Sequence, residues 1–153
     1  MLRIVCVGNP WRGDDAVGLE VAHRLAGTLP EGVELSEREG EPTALIDAWE
    51  GAESLWLVDA VSSGAAAATV HRLDASEHAL PAALFRGSTH HVGLAEAVEL
   101  ARALGRLPRQ TVVFGVEASS FEVGGPLTPA VAASVEKVAA TLREEVDACM
   151  RRP

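Results

Sequence analysis

Three places in this 153-residue chain gather side chains able to do acid–base or metal chemistry: Asp14-Asp15, Asp59, and the pair His90-His91. Two adjacent acids exceed what a helix cap needs. One can accept from the first-turn N–H groups while its neighbour points into the space above a strand. Asp59 stands near the end of SLWLVDAV, an apolar run in which strand propensity gives no reason for a carboxylate. The plain alternative is a turn-initiating aspartate, since Ser62-Ser63-Gly64 follows. His90 and His91 fall near the start of a helix that Ser88 or Thr89 can cap. The helix dipole there disfavours imidazolium, and a neutral imidazole is the form that ligates metal. The plain alternative is one histidine that caps or packs beside one that is solvated.

These residues need elements to position them. Leu2 to Val7 is a short branched apolar run, the pattern of a strand buried on both faces. Gly8-Asn9-Pro10 stops it, and Val17, Val21, Leu25 and Leu29 then recur at helical spacing. Pro30-Glu31-Gly32 turns into a second strand, Val33 to Ser36, followed by an acidic stretch and a short helix from Ala44 to Trp49. The third strand is Ser54 to Val61, and the fourth, Ala68 to Leu73, follows about six residues later. A parallel crossover needs about a dozen residues or more, so the fourth strand is expected to run antiparallel. Asp74 to Leu84 is a polar, alanine-rich connection with room for a helical turn. A helix with Leu94, Ala97, Val98, Ala101 and Leu104 on one face comes next, then a last strand from Arg109 to Val116. Thr128 is expected to cap, and Pro129 to open, a final helix from Ala130 to about Ala148. Strands mostly alternating with helices make one α/β domain, residues 1–153, with a mixed sheet.

Composition narrows the function class. The chain is 48% hydrophobic and 23% charged, a globular balance, and its formal net charge of −9 disfavours nucleic-acid backbones. No apolar run approaches the roughly 20 residues that span a bilayer, so no membrane association is expected. A strand is expected from Leu2-Arg3, so neither a signal peptide nor export is expected, and a cytoplasmic protein is the expectation. Cys6 and Cys149 are isolated, form no zinc motif or disulfide framework, and read as small apolar residues in a reduced compartment.

If the first and third strands are sheet neighbours, Asp15 and Asp59 sit at adjacent carboxyl ends. The His90 helix start lies at that same edge, where open α/β sheets bind ligands. Two carboxylates and an imidazole make a three-ligand site with open positions, suited to a divalent first-row metal; the set does not choose among zinc, nickel and manganese. Ser62-Ser63 lacks a nucleophile-elbow context, Gly8 to Gly13 lacks the Walker lysine, and no dinucleotide fingerprint is present. His23, His71 and His78 read as surface residues, and Trp49 and Trp56 as core. Trp11, in the loop before the acids, is placed to be a lid or a partner contact.

Four segments, GNPWRGDDAVG, LVDAV, STHHVGL and GVEASSFEVGGPLTP, occur in an order that resembles the hydrogenase maturation endopeptidases. That family trims the carboxyl-terminal extension from the large subunit of NiFe hydrogenases. The resemblance implies a three-layer domain: a twisted mixed five-stranded sheet, one strand antiparallel, with helices on both faces. It also implies that Asp15, Asp59 and His90 are the metal-binding and catalytic residues, with His91 the lesser candidate. The chain departs from the family's pattern at Arg38 to Thr43, where a glycine-rich segment is usual. It departs again at Ala118-Ser119, where a proline and an acid are usual.

The implied partner is the hydrogenase large-subunit precursor, and the implied metal is the nickel that precursor already carries, with another divalent first-row ion as a possible substitute in vitro. Asp15, Asp59 and His90 would recognise the nickel, and a water polarised by metal or carboxylate would cleave the nearby peptide bond. The competing expectations are a non-catalytic nickel-sensing chaperone for the large subunit and a metal-dependent hydrolase of the same fold with another substrate. The oligomeric state is not legible from the sequence.

Overall fold

The computed structural model describes residues 1–85 and 93–152. Its five strands are β1 (Leu2–Val7), β2 (Val33–Arg38), β3 (Ser54–Val61), β4 (Val70–Asp74) and β5 (Gln110–Glu117). They lie in the order β2-β1-β3-β5-β4. β1 pairs in parallel with β2 and β3, β3 in parallel with β5, and β4 runs antiparallel to β5. The short connection between β3 and β4 therefore does what its length dictates, and β1 and β3 are neighbours as the site requires.

Pleat alternation sorts the side chains into two cores. Val5 and Val7 of β1 and Leu55, Leu57 and Val61 of β3 pack with α2 (Pro42–Ala48) and α4 (Leu94–Ala103). Ile4, Cys6, Trp56, Val58 and Ala60 face the other way, onto α1 (Val17–Leu25) and α5 (Pro129–Met150). Every residue of β3 is buried, which explains why that strand reads as apolar throughout and why its one carboxylate is anomalous. A short helix, α3 (Ala82–Phe85), occupies the connection after β4.

Several boundaries shift from the sequence expectation for local reasons. β2 runs on to Arg38 because Val7 pairs with it and the Gly8 N–H donates to its carbonyl at 3.0 Å. α2 starts at Pro42 because the Glu41 carboxylate accepts from Thr43 N and Ala44 N at 2.9 and 2.8 Å, a side-chain cap. Those same bonds hold the Glu41 carboxyl below its ordinary range. α1 ends at Leu25, so Leu29 packs from beyond the helix. α4 begins at Leu94 with Gly93 at its N-cap; Ser88 and Thr89, the expected caps, lie outside the described residues.

Candidate functional site

The first loop folds back tightly over the carboxyl ends of β1 and β3. A Cβ on Gly8 would sit 2.5 Å from the Asp15 carbonyl oxygen. A Cβ on Gly18 would collide with the Val7 carbonyl oxygen and come within 3.0 Å of that of Val58. Only glycine permits that approach at either position, so the glycines bracketing the acid pair set its depth. Within the loop, Asn9 N donates to the Asp15 carbonyl at 3.3 Å and Asp15 N to the Arg12 carbonyl at 3.0 Å. Residues Gly13–Ala16 make a 3₁₀ turn, and both acids are fully buried.

The two acids do different work, and neither caps a helix: the residue before the 3₁₀ turn is Arg12, and the residue before α1 is Ala16. Asp14 accepts four hydrogen bonds from a loop more than a hundred residues away. Its donors are Ser119 N at 2.8 Å, Ser120 N at 3.0 Å, Thr128 N at 2.7 Å and Thr128 Oγ1 at 2.8 Å. Asp14 N in turn donates to the Ser120 carbonyl at 2.8 Å. This carboxylate clamps the segment before α5 onto the first loop. The expected cap of α5 changes accordingly: Thr128 occupies the N-cap position, but its hydroxyl serves Asp14 and makes no side-chain cap bond.

Asp15 and Asp59 meet at the carboxyl edge. Asp59, 1% exposed, accepts from Ala60 N at 2.8 Å through Oδ1, while its buried Oδ2 receives no donor from the described residues. Burial pushes the Asp59 carboxyl well above the ordinary range, and the negative charge of Asp15 pushes it further in the same direction. A buried carboxylate oxygen without a donor, facing a second acid, is costly unless a proton or a cation neutralises it. The pair therefore suits a divalent cation, with hard-to-borderline oxygen donors and no thiolate. His90 and His91, which would complete the set, lie outside the described residues; among those residues no group of three metal-ligating side chains is found.

Other nucleophiles near this edge are committed elsewhere. Glu117, 1% exposed at the end of β5, accepts from Ser63 N at 2.9 and 3.1 Å, from Ala65 N at 3.1 Å, and from the Ser63 hydroxyl. His71 Nε2 lies 3.9 Å from the same carboxylate. The acid thus stands between serine and histidine, the wrong order for a serine–histidine–acid relay. Cys6 is fully buried, and burial first, then the charge of Glu37, pushes its thiol far up, so it offers no thiolate. Sequence reasoning missed the part played by Glu117, although an acid closing an apolar strand is the same signal that singled out Asp59.

Of the remaining histidines, His23 and His78 are exposed as expected, with His23 Nε2 3.1 Å from Glu37. His71 is not: its side chain is only 22% exposed, because β4 carries it to Glu117. Trp49 and Trp56 are buried and Trp11 is exposed, in accord with the sequence. A cavity of about 280 Å³ lies at the opposite, amino edge of the sheet, bordered by Trp56, Arg72, Glu145 and Cys149. Its polar groups satisfy one another: Arg72 grips Glu145 through two bonds of 2.8 Å, and Trp56 Nε1 donates to Glu145 at 3.3 Å.

The family model of the HycI hydrogenase maturation proteases matches residues 19–145. The chain belongs to the hydrogenase maturation protease family. It is accordingly a peptidase. Among relatives, it is 28% identical to the hydrogenase 2 maturation protease of Escherichia coli K12 over 149 residues, covering 94% of this chain and 91% of that one. The solved structure of the hydrogenase maturating endopeptidase HybD from E. coli superposes with a TM-score of 0.77 at 29% identity, over 94% of this chain and 93% of that one. A maturation protease HycI from Thermococcus kodakarensis shares the fold at 22% identity, with a TM-score of 0.74 over 95% and 92%. The mixed five-stranded sheet with one antiparallel strand is thus the architecture of maturation proteases. No helix among the described residues is long and apolar enough to cross a membrane.

Proposed function

We propose that this protease removes the carboxyl-terminal extension of a NiFe hydrogenase large-subunit precursor, and that Asp15, Asp59 and His90 engage the nickel which that precursor carries. The observation that carries the reading is the buried Asp59 Oδ2, which has no donor among the described residues and belongs to a carboxyl that burial, and then the charge of Asp15, push well above the ordinary range. A cation arriving with the substrate would offset the charge of both carboxylates, so an otherwise costly pair of acids becomes a recognition site for the loaded precursor. Nickel held there supplies a Lewis acid beside the peptide bond to be cut.

The chain's own residues do the rest. Asp14 holds Asp15 in place through the loop it clamps. A water adds to the carbonyl carbon, and a carboxylate of the Asp15–Asp59 pair accepts its proton. The proton passes to the departing amine nitrogen as the carbon–nitrogen bond breaks. No side-chain nucleophile is required, in keeping with the engagement of Ser63 by Glu117 and the burial of Cys6. The test is substitution: Asp15→Asn, Asp59→Asn and His90→Ala should each lower precursor processing by about a hundredfold or more. His91→Ala should be milder. Folding should be retained in all four, as read by circular dichroism. Processing that survives Asp59→Asn, or equal losses from His90→Ala and His91→Ala, overturns the assignment.

A further inference from the structure

Beside the acids, the first loop and the loop before α5 zip together into a small two-stranded platform. Arg12 and Val123 form an antiparallel bridge, and Gly124 N donates to the Trp11 carbonyl at 2.7 Å. Asn9 Oδ1 accepts from Trp11 N at 3.0 Å, which fixes the turn that presents the indole. The platform displays two apolar side chains to solvent: Trp11 is 71% exposed and Val123 72% exposed. An exposed tryptophan next to the bridge residue Arg12, with an exposed valine directly across that bridge, places apolar surface on both sides of a guanidinium, the composition of an interaction site.

Arg12, between them, is the second observation. Arg3, Arg24, Arg72, Arg102, Arg106 and Arg143 each pair with a carboxylate, whereas Arg12, like Arg38, Arg109, Arg151 and Arg152, has no carboxylate partner among the described residues. The Arg12 side chain pairs with none of the described residues, although its Nε is buried. Arg12 as a whole is only half-buried, so the rest of its guanidinium is open to an external acceptor, and a carboxylate matches its geometry and charge best. The Arg12 carbonyl accepts from Asp15 N at 3.0 Å, so this platform stands one turn from the acid pair.

We infer that Trp11, Arg12 and Val123 form a docking platform for the substrate polypeptide, seating an extended stretch that carries a bulky apolar side chain beside a carboxylate. This rests on the proposed function, since the polypeptide that must cross the Asp15–Asp59 edge is the platform's occupant. Contacts made away from the reacting bond add binding to substrate and transition state alike, so their loss should appear in KM rather than kcat.

The experiment is steady-state processing of the large-subunit precursor by the whole protein and by Trp11→Ala, Val123→Ser and Arg12→Gln. Each variant should raise KM, Trp11→Ala and Arg12→Gln by about tenfold, with kcat kept within about twofold. Added salt should raise the wild-type KM, and Arg12→Gln should flatten that dependence. Unchanged KM in all three variants, or a loss confined to kcat, overturns the platform while leaving the proposed function intact. A Trp11→Ala variant that changes the oligomeric state by light scattering also overturns it, by showing that a second copy of the chain covers the patch. If the wild type does not cut, the proposed function falls. Calorimetric binding of the same precursor then decides the platform: about tenfold weaker binding by the variants upholds it, and equal binding overturns it.

Discussion

Asp14 should prove to be a structural acid, and its removal can be sized from the bonds it makes. Asp14→Ala deletes the acceptor of three backbone N–H groups and one hydroxyl, all at 2.7 to 3.0 Å. A donor left without its charged acceptor costs about 1–3 kcal/mol. All four donors are part-buried, so water recovers some of that loss. We expect a net destabilisation of about 3–4 kcal/mol. For a domain of this size that corresponds to a Tm lower by about 10 °C. Asp14→Asn should cost less, about 2 kcal/mol, because the amide oxygen keeps some donors while its NH₂ confronts another. Urea unfolding at constant m-value reads the loss, and limited proteolysis should show the 118–128 loop cut first. An Asp14→Ala protein within about 1 kcal/mol of wild type, with that loop still protected, would refute the clamp.

Asp59→Asn should do the reverse at neutral pH: it removes a carboxyl whose folded pKa is raised, so the variant should unfold at higher denaturant than wild type. Because the folded form holds the proton more tightly, the wild-type penalty grows as pH rises above the unfolded carboxyl's value near about 4 and closes below it. Equal stability of the two proteins at pH 7 would contradict this. Gly18→Ala should cost about 2–3 kcal/mol, since its Cβ meets backbone that cannot step aside; an unchanged Tm would show that α1 can lift from the sheet. Glu117→Leu should cost about 3 kcal/mol by stranding the donors of Ser63 and Ala65, whereas Glu117→Gln should cost under about 1 kcal/mol, and comparable losses in denaturant would refute the role of hydrogen bonding there.

The sheet was legible because each strand's apolar pattern is local: β3 reads as apolar except for Asp59 and is buried throughout, and the gap before β4 is too short for a crossover. Asp59 was legible for the same reason, as a carboxylate where strand packing has no use for one. The division of labour between Asp14 and Asp15 was not. It is decided by Ser119, Ser120 and Thr128, whose proximity comes from the tertiary fold and leaves no trace at short range in the sequence. Thr128 shows the same effect from the other side: capping propensity predicts its place before α5, but a buried carboxylate outcompetes the helix for its hydroxyl. His71 gave no sign of its contact because β4 reaches Glu117 only through the antiparallel pairing with β5.

The most direct test of the account follows the mass of a large-subunit precursor incubated with the purified protein, once loaded with nickel and once nickel-free. The account predicts loss of the carboxyl-terminal extension from the loaded form only, and no loss when Asp59→Asn replaces the wild type. Equal cleavage of both forms would contradict the claim that the Asp15–Asp59 pair engages the substrate's metal.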